Sequence, residues 1–278
     1  MSDARLTPAN GRVAHVALRG QVDAARFVEG AARLLCVPVA DLLHAPDGRR
    51  QRQLLMGARV TCLETHAGWS FVQGADGYVG YVKAQALGDA GPAPTHRVSA
   101  RATHVYAAPD IKSRDIATLS HLSEVAVIAQ QGAMAQTPMG YIPAVHLSAL
   151  DAPARDPVGV ATLYLGTPYL WGGNSAFGLD CSGLVQAGCR ACGIPCPGDS
   201  DLQEATLGAR LPPGTPPQRG DLLFWKGHVA WVVDSATILH ANARDMAVAH
   251  EHLPEAIHRI EAQGGGPVTA HKRPGEQP

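Results

Sequence analysis

The sequence has little charge and almost no imbalance of it. Asp, Glu, Lys and Arg make up 17% of the 278 residues, and 23 basic against 24 acidic side chains leave a net charge of -1. Without a cationic excess there is no electrostatic footprint for nucleic acid, so no nucleic-acid partner is expected. Long apolar runs are missing as well. Asp3, Arg5, Arg12, Arg19, Asp23, Arg26 and Glu29 interrupt the first 30 residues. That leaves no secretory-signal core and sets the expectation of a cytoplasmic protein. The two long uncharged stretches, 125–150 and 157–179, carry proline, glycine and polar side chains, so no membrane span or membrane partner is expected. Cysteine is scarce: Cys36, Cys62, Cys181, Cys189, Cys192 and Cys196 are too dilute and too clustered for a disulfide scaffold and are read as free thiols.

What is present is 46% hydrophobic residues, enough for packed cores and too many for disorder. The length predicts two or three domains. A repeat marks the front half. Ala45-Pro46-Asp47 recurs as Ala108-Pro109-Asp110, Gly77-Tyr78-Val79 as Gly140-Tyr141-Ile142, and Leu87 as Leu150, each 63 residues on. Each copy holds short runs rich in Val, Leu and Tyr between turn signals, which reads as a small all-β barrel. The expected divisions are an N-terminal extension (1–34), barrel 1 (35–91), barrel 2 (97–150) and a C-terminal domain (155–272). Periodicity does not decide between helix and strand for 23–35. Residues 151–157, with two prolines, read as a linker. The front half carries 14 basic and 11 acidic residues, the back half 9 and 13, a mild acidity that would suit a substrate bearing an amine.

In the back half, a loop containing Gly172, Gly173 and Gly178 ends at Asp180-Cys181-Ser182, and Leu184, Val185, Gly188, Cys189 and Cys192 follow at helical spacing until Gly193 stops the helix. Cys181 is thus placed in the first helical turn, where unpaired N–H groups and the dipole favour an anion and should lower the thiol pKa. A buried structural cysteine is the alternative, but it needs no polar, glycine-rich approach. Cys189, Cys192 and Cys196 could suggest zinc or an iron–sulfur cluster; with Cys189 and Cys192 on the apolar stripe and no second CxxC pair, core packing is the better reading, and no metal or cofactor is expected. The segment 219–242 reads as three strands with turns at Lys226-Gly227 and around Asp234-Ser235. If 233–235 form the second turn, His228 lies directly opposite His240 and the two imidazoles share a face, His228 as base and His240 as its orienting partner. His250, His252 and His258 read as solvated.

The motifs PYLWGG, LDCSGL, RGDLLFW, HVAWVV and ILHAN resemble, in order and spacing, the NlpC-type papain-like cysteine peptidases of bacterial cell walls. The segment GWSFVQGADGYVGYV resembles two strands of a bacterial SH3-like barrel. The resemblance implies an α+β fold class, a papain-like NlpC-type catalytic domain preceded by two all-β SH3-like barrels. With both together the chain resembles γ-D-glutamyl-L-diamino-acid endopeptidases acting on short murein peptides that bear a free N-terminal L-alanine. It further implies Cys181 as nucleophile, the Cys181 N–H and the Tyr169 hydroxyl at the oxyanion, and substrate contacts from Tyr78, Trp171, Asp180, Ser182, Asp199 and Ser200. Asp199-Ser200 could equally be a plain helix cap. Many relatives carry an arginine just before that pair, where this sequence has Gly198, which leaves the grip on the substrate's carboxylate open. Two rival readings share these motifs: an exported hydrolase of polymeric peptidoglycan, and a wall-binding protein without catalysis.

Overall fold

The computed structural model describes residues 3–89 and 91–275 and divides the chain into two compact units, 1–150 and 151–278.

The C-terminal unit is built around a six-stranded sheet. In spatial order its strands are Ala209–Arg210, Ala270–Arg273, Leu222–Trp225, His228–Asp234, Thr237–Asn242 and Ala247–His252, all antiparallel to their neighbours. Among the described residues four α-helices accompany it: α1 (Pro157–Thr162), α2 (Cys181–Ala191), α3 (Ser200–Thr206) and α4 (Leu253–Ile260). Leu222, Leu223, Phe224 and Trp225 are all buried, the pattern of a strand covered on both faces. On one face, Leu223, Trp225, Ala230, Val232 and Ile238 pack against Leu253, Ala256 and Ile260, the apolar stripe of α4. Asp221, fully buried ahead of its strand, anchors the sheet to the C-terminal strand: Arg273 donates Nε to Oδ1 at 2.6 Å and Nη2 to Oδ2 at 2.9 Å, and His271 Nε2 lies 2.7 Å from Oδ2.

α2 is the central helix, and every residue but Arg190 is buried. Asp180 caps its start, accepting from the Gly183 N–H at 2.8 Å. Gly193 ends it at φ 74°; the Gly193 N–H bonds to the Arg190 carbonyl and the Ile194 N–H to that of Cys189, a Schellman closure. The loop ahead of α2 comes so close that a Cβ on Gly183 would stand 2.5 Å from the Gly173 carbonyl oxygen.

The N-terminal unit is all β with short 3₁₀ turns. Residues 31–88 form a seven-stranded antiparallel sheet around Leu63, Trp69, Phe71, Val79 and Tyr81. Residues 96–149 form three- and five-stranded sheets around Val98, Val105, Leu119, Val125 and Ile142. The undecided 23–35 segment is strand: Arg26–Val28 pairs in parallel with Val13–His15, and Ala31–Leu35 joins the seven-stranded sheet. Val13, wholly buried, packs on the first core, so the stretch ahead of the barrel covers that core.

The two modules repeat the same element order, but the 63-residue offset does not hold throughout. Leu43 pairs with Tyr81 and Tyr106 with Tyr141; the first residues of these pairs are 63 apart and the second 60. Gly80-Tyr81-Val82, rather than Gly77-Tyr78-Val79, therefore corresponds to Gly140-Tyr141-Ile142, and Leu87 corresponds to Leu147. Close packing imposes this. A Cβ at Gly80 would stand 2.7 Å from the Leu43 carbonyl oxygen, and at Gly140 it would collide with that of Tyr106.

Candidate active site

Cys181 is the first residue of α2 and is 7% exposed. The Val229 N–H is near enough to its sulfur to favour the thiolate, which places Cys181 by the head of the His228–Asp234 strand. Gly227, at φ 74°, makes the tight turn that pairs Trp225 with His228. His228 Nε2 lies 2.8 Å from His240 Nδ1, with the ring centroids 5.1 Å apart and the planes tilted by 61°. That contact leaves Nδ1 as the second ring nitrogen of His228.

The register differs from direct opposition of the two histidines. Trp231 pairs with Leu239, Val232 with Ile238 and Asp234 with Thr237, with a bulge at Val233. The turn is the two-residue Ser235-Ala236, held by the Ala236 N–H donating to Asp234 Oδ1 at 2.9 Å. His228 and His240 are consequently diagonal neighbours. They keep a common face because the displacement is two residues.

The thiol also departs from expectation. Burial, and secondarily the Asp180 carboxylate, push the Cys181 thiol up to about 12, against the lowering effect of the Val229, Ser182 and Cys181 N–H groups. Burial and the neighbouring His240 bring His228 down to about 3, and burial brings His240 down to about 4 in spite of Glu251. At neutral pH the free site therefore holds a thiol and a neutral imidazole. The helix start does not ionise Cys181 alone; charge appears only if the thiol proton passes to His228, when the two opposite charges offset each other's desolvation.

Tyr169 is half-buried and held by its N–H to the Met246 carbonyl. Burial, with the nearby Cys181 and Asp180 charges, raises its hydroxyl pKa, so it stays a protonated donor beside the thiol. Trp171 is 71% exposed. Both oxygens of Asp180 are engaged locally: Oδ1 accepts from the Gly183 N–H and from Ser182 Oγ at 3.0 Å, Oδ2 from the Gly172 N–H at 2.8 Å. Asp180 and Ser182 thus fasten the loop to the helix. Asp199 stands at the N-cap of α3 without a side-chain capping bond, and Ser200 is the first residue of that helix. Tyr78, which belongs to the N-terminal unit, is buried under the Arg52 guanidinium at 4.6 Å from its ring centroid. Cys189 and Cys196 face each other in the core, thiol to thiol. Among the described residues no His, Cys, Asp or Glu cluster suits a metal ion, and no helix is long and apolar enough to cross a membrane. His250, His252 and His258 are exposed.

Two residues near the site escaped sequence reasoning. Gln203 is fully buried and donates Nε2 to the Ser182 and Pro197 carbonyls, both at 2.9 Å, tying α3 to α2. Glu251 places Oε2 3.1 Å from His240 Nε2. Neither stands in a motif of its own, and alternation along 247–252 marks Glu251 only as inward-facing.

A cysteine at the head of a buried helix and two paired histidines on the antiparallel sheet beside it supply the parts of a thiol peptidase site. Residues 166–260 match the NlpC/P60 family, and residues 42–87 match the bacterial dipeptidyl-peptidase SH3 domain. The chain carries an NlpC/P60 cysteine peptidase domain behind an SH3-like all-β region. It is 28% identical over 242 residues to a γ-D-glutamyl-L-lysine dipeptidyl-peptidase of Bacillus subtilis (strain 168), covering 77% of this chain and 80% of that protein. A 91-residue stretch is 35% identical to dipeptidyl-peptidase 6 of Lysinibacillus sphaericus, 31% of each chain. An NlpC/P60 family protein from Bacillus cereus ATCC 10987 superposes with a TM-score of 0.72 over 87% of this chain and 99% of its own, at 20% identity, which establishes the shared fold.

Proposed function

We propose that the chain is a cysteine endopeptidase hydrolysing the bond between γ-D-glutamate and a diamino acid, diaminopimelate or lysine, in short murein peptides with a free N-terminal L-alanine. The observation that carries this is the Cys181, His228 and His240 arrangement on an NlpC/P60 domain behind an SH3-like region. The relative from Bacillus subtilis, which covers most of the chain, is named for cleavage at γ-D-glutamyl-L-lysine.

In this reading Cys181 Sγ attacks the γ-carbonyl of D-glutamate as its proton passes to Nδ1 of His228. The oxyanion meets the Cys181 N–H and the Tyr169 hydroxyl, which its raised pKa keeps protonated. His228 then protonates the leaving amine and activates the water that hydrolyses the thioester. Trp171 offers an exposed apolar wall, Asp180 and Ser182 shape the loop beside the nucleophile, and Asp199 and Ser200 are the groups assigned to the substrate's ammonium. In this reading the place of action is the cytoplasm, in reuse of murein peptides, because the substrate it requires is a small free peptide rather than the polymer.

The test is substrate choice. L-Ala-γ-D-Glu-L-Lys or its diaminopimelate counterpart should yield L-Ala-γ-D-Glu, whereas the N-acetylated tripeptide and intact sacculi should be left untouched. Cleavage of sacculi with the free tripeptide spared would replace this reading by a wall-remodelling hydrolase.

A further inference from the structure

Behind His240 the fold buries a carboxylate that the steps above do not use. Glu251 stands opposite Ile238 and Ala249 opposite His240 in the paired strands, so Glu251 and His240 are diagonal neighbours on one face. The Glu251 side chain is 5% exposed, a costly position for a carboxylate unless it is paired. It is paired closely. Arg259 of α4 donates Nε to Oε1 at 2.8 Å and Nη2 to Oε2 at 2.7 Å, and Arg244 donates Nη1 to Oε1 at 2.8 Å.

Two arginines would satisfy an ion pair that only joined strand to helix. This one also turns Oε2 to the buried Nε2 edge of His240, 3.1 Å away though off the ideal hydrogen-bond line, and among the described residues that nitrogen has no other acceptor. A neutral imidazole carries its proton on one nitrogen only. With a carboxylate at the Nε2 edge the proton resides there, because a lone pair facing Oε2 would be repelled. His240 Nδ1 then accepts from the Nε2–H of His228, and His228 keeps an unprotonated Nδ1. The opposite tautomer would reverse the chain and leave His228 with an N–H, and no base, on its Nδ1 side.

We propose that Glu251, clamped by Arg259 and Arg244, is a positioning residue that locks His240 in its Nε2–H tautomer and thereby makes Nδ1 of His228 the base for Cys181. The inference rests on Cys181 and His228 being the reacting pair. The charged groups around His240 are Glu251, Arg259, Arg244 and Asp245, two of each sign, so Glu251 acts by direction more than by net field. Glu251 touches no substrate; it orients a residue that orients the base.

The decisive experiment needs no variant. Long-range proton–nitrogen correlation spectra of ¹⁵N-histidine-labelled protein should show His240 protonated at Nε2 and bare at Nδ1. A proton on Nδ1 of His240 in the folded protein overturns the proposal. With the tripeptide as substrate, Glu251→Gln should lower kcat by about 10- to 100-fold with KM changed less than twofold, mix the His240 tautomers, and be partly rescued in Glu251→Asp. A folded Glu251→Gln variant with wild-type kcat and tautomer refutes it. Cys181→Ala in the same assay keeps the two readings apart. If Cys181→Ala is inactive while Glu251→Gln is normal, only this inference falls; if Cys181→Ala cleaves the peptide, the proposed function falls first.

Discussion

Asp180→Asn separates two tasks that the native carboxylate performs at once. Asparagine is as good an N-cap as aspartate, and its amide oxygen can still accept from the Gly183 N–H and Ser182 Oγ. It cannot also accept from the Gly172 N–H, which meets an amide NH₂ and loses a partner, a loss of about 1–3 kcal/mol. The variant should therefore unfold at lower temperature, by roughly 4–11 °C for a domain of this size. The chemistry should move the other way, because the Asp180 charge is the second cause, after burial, of the raised Cys181 thiol. Unit charges a few ångströms apart interact by up to about 4 kcal/mol at an effective dielectric of 20. Three hydrogen-bond donors already neutralise part of that charge, so about 1.4 kcal/mol is left to act on the thiol, a tenfold gain in thiolate. A less basic thiolate is about threefold less nucleophilic per tenfold of acidity, which leaves a net gain of roughly threefold. Iodoacetamide alkylation of Cys181 at pH 7, followed by peptide mass mapping beside the five other thiols, measures it. Faster alkylation in a less stable protein is the expected pair of results. Slower or unchanged alkylation in a folded variant would refute the electrostatic reasoning.

Asp221→Asn should cost about 3–5 kcal/mol by breaking the buried bidentate pair with Arg273, read by denaturant unfolding of the whole chain. Burial alone would raise the Asp221 pKa, yet Arg273, the Gln218 N–H and His271 hold it below the ordinary carboxylate range. Its contribution is thus complete above about pH 5 and lost as pH falls through the depressed value, so wild-type stability should fall more steeply below about pH 4 than that of the variant. Gly140→Ala should destabilise the N-terminal unit by ~2 kcal/mol or more, since the new Cβ meets the Tyr106 carbonyl oxygen; an unchanged melting curve would contradict the alignment of Gly140 with Gly80. Gly193→Ala should cost about 1 kcal/mol at the left-handed end of α2, with alkylation of Cys181 unchanged.

What could be read in advance follows from the range of the interactions. The course of α2 was legible because the residues after Cys181 keep helical spacing and Gly193 is a local left-handed stop, whereas the part of Asp180 as its cap emerges only from the structure. The two histidines could be paired because strand alternation fixes their face. Their true diagonal offset depends on a one-residue bulge at Val233, which carries no local signature. Likewise the repeat was visible in its residues but misaligned by three, because Gly77-Tyr78 and Gly80-Tyr81 are alternative matches to Gly140-Tyr141 and only packing against the Leu43 carbonyl selects the second. The thiol was misjudged for a tertiary reason: the helix start favours an anion, but α2 lies almost wholly inside the unit, and burial outweighs the N–H groups. Glu251 was silent because its meaning comes from Arg259, on a different element.

The central claim, that Cys181 is the nucleophile of a γ-D-glutamyl peptidase, is tested most directly by the rate at which wild-type and Cys181→Ala proteins release L-Ala-γ-D-Glu from L-Ala-γ-D-Glu-L-Lys. The account predicts release by the wild type and a loss on the order of 10⁴-fold or more in the variant, with its thermal unfolding unchanged within about 2 °C. Release by Cys181→Ala at a comparable rate would contradict it.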